Sequence, residues 1–114
     1  METYRPRERI RRKSEFAELY KKGRCDRGKY FNLIYLPSRL DYSRLAVVAS
    51  RKVGNAVQRN RLRRRAKELF RRNKELLISP RDMLLIAKPG SGEASWAELR
   101  SRYLEALKGL AGKR

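Results

Sequence analysis

Residues 55–72, NAVQRNRLRRRAKELFRR, set Leu62, Ala66, Leu69 and Phe70 at helical spacing among arginines. At about 100° per residue these four side chains share a stripe of roughly a quarter turn. So narrow a stripe has to be buried against another layer, and it dictates a helix lying on a sheet. The other positions carry Arg59, Arg61, Arg63, Arg64, Arg65, Lys67, Arg71, Arg72 and, just beyond, Lys74, against Glu68 alone. Arg59/Arg63, Arg61/Arg65, Arg63/Lys67 and Lys67/Arg71 are like-charge i,i+4 pairs, each costing about 0.2–0.5 kcal/mol in an isolated helix. Glu68 offsets this only through Arg64 and Arg72. A helix with a purely structural task has no use for this load. Phosphates on the face would reverse its sign, because each one neutralised releases counterions.

The rest of the chain does not supply the missing acids. It has 31 Lys+Arg against 12 Asp+Glu, a net charge of +19. Such a field favours a polyanionic partner. With 114 residues, 40% of them hydrophobic, the chain is sized for one domain, 1–114. There is no histidine, and Cys25 is the only cysteine. A histidine base, a Cys–His dyad and a Cys/His zinc site are excluded. No internal disulfide can form, which fits a reducing cytoplasm. No stretch is long and apolar enough to cross a bilayer, and the N-terminus lacks the apolar core of a signal peptide. No membrane partner is expected.

Periodicity gives the order α-β-β-α-β-α, an α+β fold with helices on a small sheet. Residues 1–13, METYRPRERIRRK, read as a basic flexible arm that could order on a polyanion. Ser14 is placed to cap a short helix, SEFAELYKK, that Gly23 ends. KYFNLIYL (29–36) reads as a strand with apolar groups on both faces, and this first strand region can be split in two. Tyr30, Asn32, Ile34 and Leu36 point one way, and Phe31, Leu33 and Tyr35 the other. RLAVVAS (44–50) follows as a strand antiparallel to the first. The long helix is expected over 55–77 and a further strand over 82–88. SWAE (95–98) is a capping box that opens a last helix with an apolar stripe of Trp96, Leu99, Tyr103, Leu107 and Leu110.

Two features refine the basic helix. Asn60 adds no charge, but its amide can donate and accept at once, which suits a base edge or a 2′-hydroxyl. Equally, it can simply interrupt a solvated face. In SRKVGN, Gly54 permits a turn with positive φ, and Asn55 can cap the helix. Arg51 and Lys52 frame that turn. Phe16 and Tyr20 on the first helix and Tyr30 on the strand are either core residues or rings on which single-stranded bases stack.

At SRKVGNAVQRNRLRRRAKELFR (50–71) the chain strongly resembles the protein subunit of bacterial ribonuclease P. Lys52, Gly54, Asn55, Ala56, Val57, Arg59, Asn60, Arg61, Arg63 and Arg64 match that family's RNR motif, and the resemblance extends over nearly the whole chain. It implies an α-β sandwich of the ribosomal protein S5 domain 2-like type with a left-handed β-α-β crossover. It also implies a protein that binds a large catalytic RNA and helps it remove the 5′ leader of precursor tRNA, one protein per RNA. The chain alone is not expected to be catalytic, and the Mg²⁺ is expected mainly on the RNA and substrate. By the same resemblance Arg51, Lys52, Asn55, Arg59, Asn60, Arg61, Arg63, Arg64 and Lys67 would bind RNA. Arg12, Lys13, Phe16, Tyr20, Tyr30, Asn32 and Ile34 would line a cleft for the single-stranded leader. Ile34 stands where many relatives carry an aromatic, so the contact implied there is apolar. A non-catalytic ribosomal or assembly protein is the competing reading. A duplex-DNA binder is a third, without helix-turn-helix spacing to support it.

Overall fold

Two strands with apolar groups on both faces need cover on both sides. In the computed structural model, which describes residues 5–111, Phe31–Pro37 and Arg81–Ala87 lie side by side at the centre of one sheet. The elements in chain order are α1 (Lys13–Lys22), β1 (Arg24–Asp26), β2 (Phe31–Pro37), β3 (Arg44–Val48), α2 (Ala56–Arg72), β4 (Arg81–Ala87) and α3 (Trp96–Ala111). The sheet order is β1-β2-β4-β3. β1–β2 and β2–β4 are antiparallel, and β3–β4 is parallel with α2 as the connection. β3 therefore runs against β2, as expected, but β4 lies between them.

Helices cover both faces. On one, Phe31, Leu33, Tyr35, Leu45, Met83 and Leu85 pack with Leu62, Ala66, Leu69 and Phe70 of α2 and with Leu99, Tyr103, Ala106, Leu107 and Leu110 of α3. The apolar stripes read for both helices are thus the buried ones. On the other face Leu19 of α1 packs with Ile34, Leu84 and Ala46. Trp96, expected in the core, is half-buried at its margin with the Arg72 guanidinium 5.7 Å from its ring centre.

Several local expectations need correction. β1 adds a short strand before the first one read; its three residues carry no usable period, and pairing with β2 makes it a strand. α1 begins at Lys13 behind Arg12, with no side-chain cap, so Ser14 lies inside the helix. α2 ends at Arg72, and Lys74–Leu76 form a separate 3-10 turn. Residues 5–12 do not project as an arm. Ile10 is 4% exposed within the α1-side core and donates its N–H to the Leu45 carbonyl at 3.2 Å. Glu8 is buried and pairs with Lys74 at 2.6 Å. The apolar Ile10 in a basic run supplies the anchor. Residues 1–4 of the expected arm lie outside the described residues.

Candidate nucleic-acid interface

The start of α2 is built by short-range chemistry. Gly54 has φ 151°, a conformation that disfavours side chains, and a β-carbon there would collide with the Gln58 amide. Asn55 caps the helix: its side chain accepts from the Gln58 N–H at 2.9 Å, and the Gln58 side chain accepts from the Asn55 N–H at 3.0 Å. With the apolar stripe facing the sheet, Arg51, Lys52, Asn55, Asn60 and Arg64 are exposed along the outer side. Arg59, Arg61, Arg63 and Lys67 are half-buried at its flanks.

The flanking arginines divide by what they touch. Arg61 donates to the Gly92 carbonyl at 2.6 Å, and Arg65 to the Ala94 carbonyl at 2.9 Å. The two side chains strap the turn before α3 onto α2. Arg63 donates to the Ala49 carbonyl at 3.2 Å and to the Asn60 side chain at 3.4 Å. These acceptors are neutral, so the positive charge is not cancelled. Glu68 pairs with Arg71 and Arg72, not with Arg64 as expected. Among the described residues no ion pair involves Arg51, Lys52, Arg59, Arg61, Arg63, Arg64 or Lys67. The Lys67 ammonium is held below the usual lysine range, first by burial and then by the charges of Arg9 and Arg63.

A second surface lies on the α1 side of the sheet. Strand register sets three cross-strand rows there: Leu36–Asp82–Arg44, Ile34–Leu84–Ala46 and Asn32–Ile86–Val48. Leu19 covers the middle row, whose three members are buried. The row of Asn32, Ile86 and Val48 is only half-buried. Phe16 is half-buried against this cluster, and Tyr20, one turn on, is 56% exposed. Arg12 and Lys13 are exposed at the start of α1. Phe16 packs on the same cluster as Val48 and Ile86 of this open strip, with Tyr20 one turn on, whereas Arg12 lies by the first row, in a hollow with Glu15, Leu36, Arg44 and Asp82. Val48 and Ile86 belong to that strip and were not singled out in the sequence. Both sit in apolar runs, and only their register with Asn32 distinguishes them.

Two of the expected cleft residues are placed differently. Ile34 is 8% exposed, pressed under the end of α1, and has little surface to offer a base. Tyr30 precedes β2 and packs toward α3, where its hydroxyl donates to Glu98. That bond lowers the Glu98 carboxyl to about 2, with the Ser95 backbone and side chain contributing next, and raises the Tyr30 phenol. The chain leaves the strand alternation before Phe31, so parity put Tyr30 on the wrong side. Asn32 also accepts from the Gly28 N–H at 3.3 Å.

Among the described residues no three of Asp, Glu and Cys gather as a metal site. Asp26 and Asp82 are each paired with an arginine.

Comparison with known proteins converges on one family. The family model described as Ribonuclease P matches residues 4–111. The chain is similar to the ribonuclease P protein component of Thermotoga maritima, at 34% identity over 97% of this chain and 98% of that protein. It also resembles that of Clostridioides difficile, at 36% identity over 79% and 80%. Among solved structures, the Thermotoga maritima RNase P protein superposes with a TM-score of 0.79 at 33% identity, covering 89% of this chain and 96% of that one. A Staphylococcus aureus RNase P protein gives 0.79 at 28% identity, covering 91% and 94%.

Proposed function

The chain belongs to the ribonuclease P protein family, and from that premise we propose that its two surfaces divide the RNA between them. The exposed side of α2 and the turn before it bind the catalytic RNA. The open strip beside α1 holds the single-stranded 5′ leader of precursor tRNA. One observation carries this reading: among the described residues Arg51, Lys52, Arg63, Arg64 and Lys67 have no ion pair with a carboxylate of the protein's own, Glu68 being taken up by Arg71 and Arg72. Phosphate is the partner that such a face lacks. Arg51, Lys52 and Arg64 contact the RNA backbone, Asn60 reads a base edge or 2′-hydroxyl, and Arg63 and Lys67 add charge from the flank.

On the other face, Val48 and Ile86 offer a base an apolar floor, and Phe16 and Tyr20 offer rings. Such stacking is worth about 1–3 kcal/mol per base. Arg12 and Lys13 attract the adjoining phosphates. With no histidine in the sequence and no cluster of three carboxylates among the described residues, the chain contributes binding and positioning. The Mg²⁺ sits on the RNA and substrate, and the RNA performs the hydrolysis.

Reconstitution tests the reading. Adding the protein to its cognate RNA at low Mg²⁺ should increase precursor tRNA cleavage; no increase would refute it. Phe16→Ala should weaken binding of leader-bearing precursor by about tenfold, in line with the loss of one stacked base, and leave mature tRNA unaffected. Equal loss on both would assign Phe16 to the core.

A further inference from the structure

Arg44 joins α1 to the sheet by charge. Its guanidinium grips Asp82 through two bonds, Nε to Oδ1 at 3.0 Å and Nη2 to Oδ2 at 2.7 Å. The same Nη2 lies 2.7 Å from Oε2 of Glu15, in the first turn of α1. Arg44 and Asp82 are cross-strand neighbours on β3 and β4, so their pair belongs to the sheet itself. Glu15 is the member that reaches down from the helix. All three are largely shielded, with side-chain exposures of 14% for Arg44, 29% for Glu15 and 16% for Asp82. An ion pair so placed is less screened by solvent than an exposed one.

The other end of α1 is fixed by shape. Gly23 donates its N–H to the Leu19 carbonyl at 2.8 Å. A β-carbon at Gly23 would lie 2.4 Å from Cγ2 of Ile34, so only glycine lets the end of the helix come down onto the sheet. α1 is therefore held at both ends, while Phe16, between them, packs on the cluster that Ile86 and Val48 of the open row also border, and Tyr20 follows one turn on. The height and tilt of α1 determine the gap between those rings and that row.

Building on the leader reading above, we infer that Glu15, Arg44 and Asp82 form a clamp that sets the width of the leader cleft. They act as positioning residues, not as RNA contacts. A triad of one cation and two carboxylates carries one net negative charge, so the clamp does not itself attract RNA. Its role is to present Phe16 and Tyr20 at a fixed distance from the sheet, so that a base enters without the helix having to be ordered at the moment of binding.

Glu15→Gln is the selective probe, because it releases α1 and leaves the bidentate Arg44–Asp82 pair in the sheet intact. Two measurements are made on the full chain. In the free protein, amide hydrogen exchange over residues 13–22 should rise about fivefold, as expected for losing a pair of about 1 kcal/mol, while exchange in α2 is unchanged. In the reconstituted complex, binding of leader-bearing precursor should weaken by a similar factor, with affinity for the catalytic RNA and for mature tRNA unchanged. In a Phe16→Ala background the Glu15→Gln effect on precursor binding should vanish, because both act through the same contact. Unaltered exchange in α1, or equal losses on precursor and mature tRNA, would overturn the clamp. A wild-type protein with no preference for the leader would instead overturn the leader reading, and the exchange measurement would still decide the clamp.

Discussion

Arg61 and Arg64 sit three residues apart on one helix and have different tasks. Arg61 satisfies the Gly92 carbonyl, whereas Arg64 is exposed and joins no ion pair among the described residues. Arg61→Ala should lower stability by about 1.5–3 kcal/mol, the usual range for a lost hydrogen bond to a charged group. Arg64→Ala should stay within about 0.5 kcal/mol of wild type, as surface substitutions do. Urea denaturation midpoints of the two variants check this; equal midpoints would deny Arg61 its structural role. The motif spacing alone could not separate them. Both match the RNR pattern, and the carbonyl that engages Arg61 lies on a distant turn whose approach depends on the tertiary fold.

At the scale of elements, the N-terminal segment and the start of α3 carry testable consequences. Ile10 occupies the α1-side core, so Ile10→Ala should cost about 2–5 kcal/mol. A thermal midpoint equal to wild type would mean that the segment is not docked. At α3, Glu98 accepts from Tyr30 and from Ser95, and its carboxyl lies at about 2, against an ordinary 4.5. A depressed carboxyl contributes stability that is present above its ordinary value and lost as pH falls through the folded one. The stability advantage of wild type over Glu98→Gln should therefore be full at pH 5 and shrink steadily toward pH 2. An advantage independent of pH would contradict it. The Ser95–Glu98 box was legible because a cap is a local code of four residues. The docking of residues 5–12 was not, since a single isoleucine among arginines resembles a disordered basic run until its partner strand is in place. Tyr30 failed for a related reason: strand parity extrapolates only as far as the strand does.

Across the whole molecule, the apolar pattern fixes a sheet covered on both faces, and the charge pattern fixes which helix turns outward. Leu62, Ala66, Leu69 and Phe70 were readable as a buried stripe because a helix repeats its facing every few residues. The open row of Asn32, Ile86 and Val48 required the order β2-β4-β3, which no local pattern encodes. A net charge of +19 then sets the energetic character of the protein. In the proposed reading, the outer face of α2 is unfavourable alone and becomes favourable when phosphates arrive. The most direct test is the salt dependence of binding to the catalytic RNA, for wild type and for a variant with Arg51, Lys52 and Arg64 all replaced by alanine. Each phosphate contact contributes roughly 0.7–0.9 to the slope of log affinity against log salt. The variant's slope should be shallower by roughly 2–3 units with its fold retained. A folded variant whose slope equals that of wild type would contradict the account.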